Sequence, residues 1–476
     1  MIEKFIPYFS RFQVPPAGSV FEALLDGPHD AVAHHAGARL LNPQPKGGPR
    51  ALGMATGIMT TTPTLAVTSK GTVFAALRHR GVARSRDHGR TWEIVKPPDS
   101  GDDTHENGEH GFVHLDRDTD RVFYITWMTV RSFGERRPHW TRRTSGSYLS
   151  WTDDEGETWE HASLGHDTWD WPKILTGPAV HSTTEGYPNV IYFRAMYPKI
   201  LGPLAKFYKS LDGGKTWAPT AQFACDGFEP GYGAVGPDGT IYLDEIYTLG
   251  WRSGWRGSPY PYRWKEQGRL RVVISRDEGD TWEHRVVTGA FCPLAFYGIQ
   301  RVAVDRGGNL YAVWEDNRDG LPYLSISRDG GRTWSRRMMI AAPGVRHVQY
   351  QVNIAALEEG HIAISYLGSP RRFGFINLPY TPDGRPYSGY LCECFNALDP
   401  EPVFWSASLN DTSRPLIPWA RLCDAVGEGM HVTFAPDGTP WAAFTRVVNP
   451  WFPIGPAVFY RTLPTDLYVG RFVRGQ

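Results

Sequence analysis

Two interleaved repeats and a composition rich in aromatic residues, Gly and Pro predict an all-β fold: a β-propeller of seven four-stranded blades, with six blades as the alternative. The first repeat is an eight-residue phrase, Ser/Thr-x-Asp-x-Gly-x-Thr-Trp, at Ser85–Trp92, Thr152–Trp159, Ser210–Trp217, Ser275–Trp282 and Ser327–Trp334. Its copies start 67, 58, 65 and 52 residues apart, a period that marks stacked supersecondary units. Each position has a mechanical reason. The Asp carboxylate accepts hydrogen bonds from the backbone and the Thr hydroxyl across a tight turn. The Gly supplies a positive φ, and the Trp buries a large apolar face where the chain re-enters a strand.

The second repeat is a Gly/Asp-rich turn followed by an apolar, aromatic strand, and it occurs seven times, at 69–78, 118–127, 185–194, 237–246, 306–315, 358–367 and 436–445. A short apolar strand precedes most copies. After the first five comes a strand that runs into the Asp phrase, and then the Thr-Trp strand. Each unit is therefore a four-stranded antiparallel meander, which cannot bury both of its faces alone and must stack on its neighbours. Closing seven such sheets into a ring protects their edges. The sixth and seventh units lack the Asp phrase but keep strand sequences, SGYLCECF and PVFWSAS in the sixth, GPAVFYRT and DLYVGRF in the seventh. Residues 1–55, punctuated by Pro and Gly, form an N-terminal segment that supplies a closing strand or covers one face; residues 56–476 form the propeller. With 51 Gly and 38 Pro, the chain suits many short strands joined by turns, and little helix is expected.

The Asp phrase resembles the Asp-box, or BNR repeat, of the sialidase superfamily, and the likeness covers residues 56–476. It implies the propeller fold. It implies less about the reaction, because sialidases, other glycosidases, some polysaccharide lyases and non-enzymatic receptors all resemble one another in carrying Asp-boxes. Sialidases use an Arg triad for the substrate carboxylate, a Glu-activated Tyr nucleophile and an Asp acid/base. By position rather than by motif, Arg194, Arg301 and Arg446 answer to the triad, and Glu229 with Tyr247 or Tyr350 to the nucleophile pair. Two features depart from the family pattern. Its N-terminal Arg-Ile-Pro is absent, the corresponding Phe5-Ile6-Pro7 lacking the Arg, and a seventh blade exceeds the six-bladed sialidase form.

Topology says where chemistry belongs. In an up-and-down meander the turns between strands one and two, and between three and four, lie on one face, so the short Gly/Asp turns and the Asp-boxes lie together. The opposite face carries the long, irregular loops, and loops on a rigid scaffold are where function concentrates. Residues 129–145, 248–268 and 368–388 interleave Arg with Trp, Tyr and Phe; aromatic faces stack on sugar rings and Arg forks bind carboxylates. Strand ends at that mouth add the catalytic candidates Glu245 and His110, and the substrate-binding candidates Trp127, Trp171 and His431. Tyr232, Asp244, Glu315 and Asp316 belong to the same rim and receive no role.

The expected function is a sialidase-like glycoside hydrolase acting on a carbohydrate, an acidic sugar, at the loop-rich face. The alternatives are a polysaccharide lyase acting on a uronate-containing glycan, and a non-catalytic propeller that binds a glycan or a protein. Carbohydrate is the expected partner, with neither nucleic acid nor membrane: 50 basic residues balance 50 acidic ones, and no apolar run reaches membrane-spanning length. No cofactor or metal is expected. The stretch 102–114 holds His105, His110 and His114, but their spacing matches no zinc pattern and reads as a polar loop running into a strand. Five scattered cysteines argue against a disulfide framework. The N-terminus has an acidic residue and no sustained apolar core, so the expected location is cytoplasmic, with secretion as the alternative.

Overall fold

The computed structural model describes residues 15–30, 50–60, 62–77, 81–95, 105–130, 144–164, 169–196, 204–224, 231–248, 268–292, 301–371, 386–418, 430–448 and 465–474. Among them every regular element is a strand, and the strands form seven antiparallel sheets arranged as a seven-bladed propeller. The inner strands, in blade order, are Leu65–Val67, His105–Asp116, Trp169–Gly177, Ala234–Val235, Val302–Val304, His347–Ala356 and His431–Phe434. Each pairs with the strand after its Gly/Asp turn: Val73–Ala76, Arg121–Val130, Val190–Met196, Ile241–Thr248, Leu310–Glu315, Ile362–Ser369 and Pro440–Val447. These are the seven copies of the second repeat. The strand expected from His110 starts earlier, at His105, and runs twelve residues; its ladder with Arg121–Val130 shifts register between Asn107 and Gly111.

The core is laminated between blades. One apolar cluster joins Met54, Trp441 and Val469 of the seventh blade to Leu65, Val73 and Ala83 of the first; another joins Phe123, Leu149 and Trp151 of the second to Ile191 and Phe193 of the third. This is why a single blade has no stable existence and the ring must close.

The five Asp-boxes are near copies in atomic detail. In each, one Asp oxygen accepts from the preceding Ser or Thr hydroxyl at 2.8–2.9 Å and from the following Thr N–H at 2.8–2.9 Å. The other Asp oxygen accepts the Thr hydroxyl at 2.5–2.6 Å. The residue before the Gly is also left-handed, as Glu155 (φ 62) and Glu278 (φ 54) show. That second positive φ throws the box onto the preceding blade. A Cβ on Gly156 would stand 2.9 Å from the Phe74 ring of blade 1, so only Gly allows the approach. Glu278 goes further. Its fully buried carboxylate accepts the N–H groups of Val180, His181 and Ser182 and the Ser182 hydroxyl, and pairs with Lys209 at 3.0 Å, all on blade 3.

The last two blades are completed differently. Thr465–Val473, which contains DLYVGRF, is the third strand of blade 7 and not its fourth. The fourth is Arg50–Met59 from the N-terminal segment, and Val20–Leu24 adds a fifth outside it. Asp26–Asp30 adds a fifth strand to blade 6 beside Val403–Ser408. The ladder to Arg50–Met59 needs an edge, and Thr465–Val473 offers the free one. GPAVFYRT lies outside the described residues.

Candidate functional site at the mouth of blades three to five

Second strands end, and inner strands begin, at the loop-rich face, so side chains there surround the mouth of the axis. Arg194 on blade 3 and Arg301 at the start of the inner strand of blade 5 both converge on Asp244, in the second strand of blade 4. All three are buried, Asp244 completely. Arg301 Nη1 lies 3.4 Å from Asp244 Oδ2, and Arg194 donates to the Gly231 carbonyl beside it. Gly231 is required here: a Cβ would fall 1.9 Å from the Asp244 carboxylate. Arg301 Nη2 and Asp244 Oδ1 have no hydrogen-bond partner among the described residues. Burial pushes the Asp244 carboxyl above its usual range, against the downward pull of Arg301 and then Arg194.

Below this group toward the axis lie Lys173 and Tyr232. The Lys173 ammonium stands 4.1 Å from the Tyr232 ring centroid and 5.0 Å from that of Phe112. The Tyr232 ring also stacks on Phe112 at 4.9 Å. His431 approaches Tyr232 at 6.2 Å, and its Nδ1 accepts the Leu65 N–H at 3.1 Å. Burial, reinforced by His114 and Lys173, lowers the His431 pKa to about 3, so this imidazole is neutral. His114 is likewise lowered to about 4, by burial and then Arg117.

The sequence-predicted residues fall into three groups. Arg194 and Arg301 meet on one carboxylate. Arg446 takes other partners, a buried ion pair with Asp466 and the Pro15 carbonyl. Glu245 is turned to the other side of its strand, where it pairs with Arg271 at 2.6 Å, and His431 lines the axial cavity instead of the rim. Glu229 lies outside the described residues, as do most of the loops at 129–145, 248–268 and 368–388. Tyr247, Tyr350, His110, Trp127 and Trp171 occupy strand positions whose side chains also lie outside them. Asp244 and Tyr232 were legible only as members of the rim.

A cavity of about 320 Å³ runs along the axis, walled by Phe112, His114, Tyr232 and His431 and reaching Asp116, Arg117 and Arg306. It follows the inner strands to the Gly/Asp turns on the Asp-box side.

The chain is 24% identical over 310 residues to a sialidase of Bacteroides fragilis, a match covering 57% of this chain and 53% of that one. The chain is a seven-bladed propeller with five Asp-box turns, and it is similar to this sialidase in sequence. It spans about half the length of this relative. No family model matches it. Among solved structures it is similar to a Hadza microbial sialidase (20% identity, TM-score 0.41, covering 66% of this chain and 64% of that one). It is also similar to a Penicillium chrysogenum α-L-arabinanase complexed with arabinobiose (12% identity, TM-score 0.37, covering 82% and 99%).

Proposed function

We propose that this Asp-box propeller is a sialidase-like glycoside hydrolase that acts on an acidic sugar at its loop-rich face. The observation that carries the reading is the Arg194–Asp244–Arg301 cluster. Two guanidinium groups converge on one buried carboxylate. Arg301 Nη2 is left with hydrogen-bonding capacity unused among the described residues. A ligand carboxylate supplies the missing acceptor, and the planar guanidinium fork suits it better than an ammonium would. Asp244 positions both arginines. The name of the Bacteroides relative supports the same class of reaction.

The test is a screen of chromogenic glycosides, with sialic acid, uronic acid and neutral sugars side by side. Turnover of an acidic glycoside is expected, and Arg301→Lys should weaken it by about 2–5 kcal/mol in kcat/KM, the cost of truncating one partner of a buried charge pair. Neutral glycosides should lose little. Equal losses on acidic and neutral sugars would sink the assignment of the cluster to a carboxylate. An unsaturated uronate product would replace hydrolysis by elimination. Binding of a glycan without turnover would make the propeller a lectin-like module.

A further inference from the structure

From Arg301 outward, along the seam between blades 4 and 5, the loop-rich end carries a second set of arginines. Arg269 stands in the third strand of blade 4, Gly268–Ser275, directly opposite Phe291 in the fourth, Glu283–Cys292. Arg318 lies in the turn after the second strand of blade 5, and Arg337 just before its fourth, Met338–Met339. The guanidinium carbons of Arg269 and Arg318 stand 4.2 and 4.7 Å from the Phe291 ring centroid, so the two cations are no further apart than the sum of those distances. Arg337 packs on the Tyr323 ring at 4.5 Å. Arg301 belongs to the same neighbourhood. The buried Cys292 thiol, pushed up to about 12 first of all by its burial, lies within electrostatic reach of Arg301, Asp316 and Glu315.

The set is held from below. The fully buried Asp316 carboxylate accepts Arg318 Nε at 2.6 Å, Arg337 Nη1 at 2.7 Å, the Arg318 amide at 3.0 Å and the Trp314 indole N–H at 3.2 Å. Arg318 Nη2 also donates to the Gly289 carbonyl at 3.0 Å. Asn317 ties blade 5 to the carbonyls of Phe291 and Cys292, at 2.9 and 3.3 Å. Side chains fixed in this way lose little freedom when a ligand arrives. The donors left over face outward. Among the described residues Arg269 has no hydrogen-bond acceptor, its contact being the Phe291 ring. Arg318, with its side chain 39% exposed, spends Nε and Nη2 on Asp316 and Gly289 and keeps Nη1 unused. Two cations against one ring repel each other, and an anion between them relieves that repulsion.

We propose that Arg269 and Arg318, on the Phe291 ring, form a second anion subsite that takes the carboxylate or sulfate of a further sugar while Arg194 and Arg301 hold the first. This rests on the glycosidase reading above and names its substrate class: an acidic oligosaccharide with charge on more than one residue, not a single acidic sugar on a neutral carrier. A guanidinium offers two N–H groups in one plane, which matches the oxygens of either anion. Asp316 is a positioning residue, which keeps the Arg318 plane in place from beneath. No bond is made or broken at the seam, so the subsite acts on affinity and on the choice of chain.

Two measurements decide the matter. The first needs no turnover: calorimetric binding of a galacturonic acid trimer, of its fully methyl-esterified form and of a sulfated disaccharide. A charged sugar should bind and the ester should not, and the two charged probes tell carboxylate from sulfate. Arg269→Met keeps an apolar stem on Phe291 and removes the charge. It should weaken binding of the charged sugar by about fivefold, the upper end for a partly exposed ion pair, and Arg269→Lys should restore part of the loss. Thermal melts check that both variants are folded. Failure of the wild type to bind either charged sugar, equal binding of acid and ester, or unchanged affinity in Arg269→Met overturns the subsite. The second compares kcat/KM for two glycosides, one with a single acidic sugar and one with a second acidic sugar beyond it. The wild type should prefer the doubly acidic one, and Arg269→Met should bring the ratio toward parity; a preference that persists overturns the subsite. Absence of wild-type turnover with binding that depends on Arg269 would remove the glycosidase reading and leave the subsite. Turnover that depends on Arg301, with no effect of Arg269→Met on either measurement, would remove the subsite and leave the reading.

Discussion

Blades 1 to 5 and blades 6 and 7 solve the same problem in opposite ways. In the first five, the four strands follow one another in the chain, and an Asp-box fixes each outer turn onto the preceding blade, as Gly156 on Phe74 and Glu278 on Val180–Ser182 illustrate. The last two have no Asp-box. Their outer edges are completed by strands from the far end of the chain, Arg50–Met59 and Val20–Leu24 on blade 7 and Asp26–Asp30 on blade 6. Local turn chemistry serves where neighbours in sequence are neighbours in space, and long-range pairing serves where the ring must close. Closure joins residue 51 to residue 472, a non-local pairing whose loop-closure entropy must be met by the contacts of the seam.

The largest test of this contrast is removal of residues 1–59. That deletes the fourth strand of blade 7 together with the buried Ala51, Met54 and Ala55. The truncated chain should not give a cooperative thermal transition; one within a few degrees of the full chain would mean that blade 7 closes without the N-terminal strand. Next comes Glu278→Ala. It strips the partner from Lys209 and leaves three blade 3 amides without their acceptor, a loss of about 3–5 kcal/mol by denaturant titration. A loss below about 1 kcal/mol would show that the Asp-box clamp adds little to the ring.

A finer probe is Gly53→Ala. The added Cβ would lie 1.7 Å from the Leu409 carbonyl oxygen of blade 6, so the closing strand must move. A destabilisation of about 1–3 kcal/mol is expected, and a neutral result would place the seam between blades 6 and 7 elsewhere. Thr281→Val should cost about 1 kcal/mol, the value of one hydrogen bond to the Asp277 carboxylate, against no change for an exposed threonine outside an Asp-box.

The smallest effect concerns pH. The Thr333 hydroxyl and amide hold the Asp329 carboxyl at about 2, below its unfolded value near 4. Stability from this box is therefore present above the unfolded value and lost as pH falls through the folded one. The melting temperature should decline between about pH 4 and pH 2, with a shallower decline in Thr333→Val; an unchanged slope would leave the acid response to other carboxylates.

Arg194 and Arg301 were legible as rim residues because strand ends can be counted from the second repeat. The choice between Asp244 and Glu245 was not. The two are adjacent, and alternation sends them to opposite sides of the strand. Which side faces the arginines depends on the register with Gly268–Ser275 and on the close approach of Gly231, and a one-residue slip would exchange them. Arg318 carried no signal at all, since it reaches the Phe291 ring only when blades 4 and 5 pack together.

By itself the sequence determined the elements and their number: the Asp-box turns, whose hydrogen bonds close within eight residues, and the seven strand pairs across short Gly/Asp turns. These are local, so residue identity and spacing suffice. Only the tertiary structure decided which end of the chain completes blades 6 and 7, which of two adjacent carboxylates meets Arg194 and Arg301, and that Arg269 and Arg318 share the Phe291 ring. Each depends on surfaces from different blades meeting, and that geometry exists only once the ring has closed.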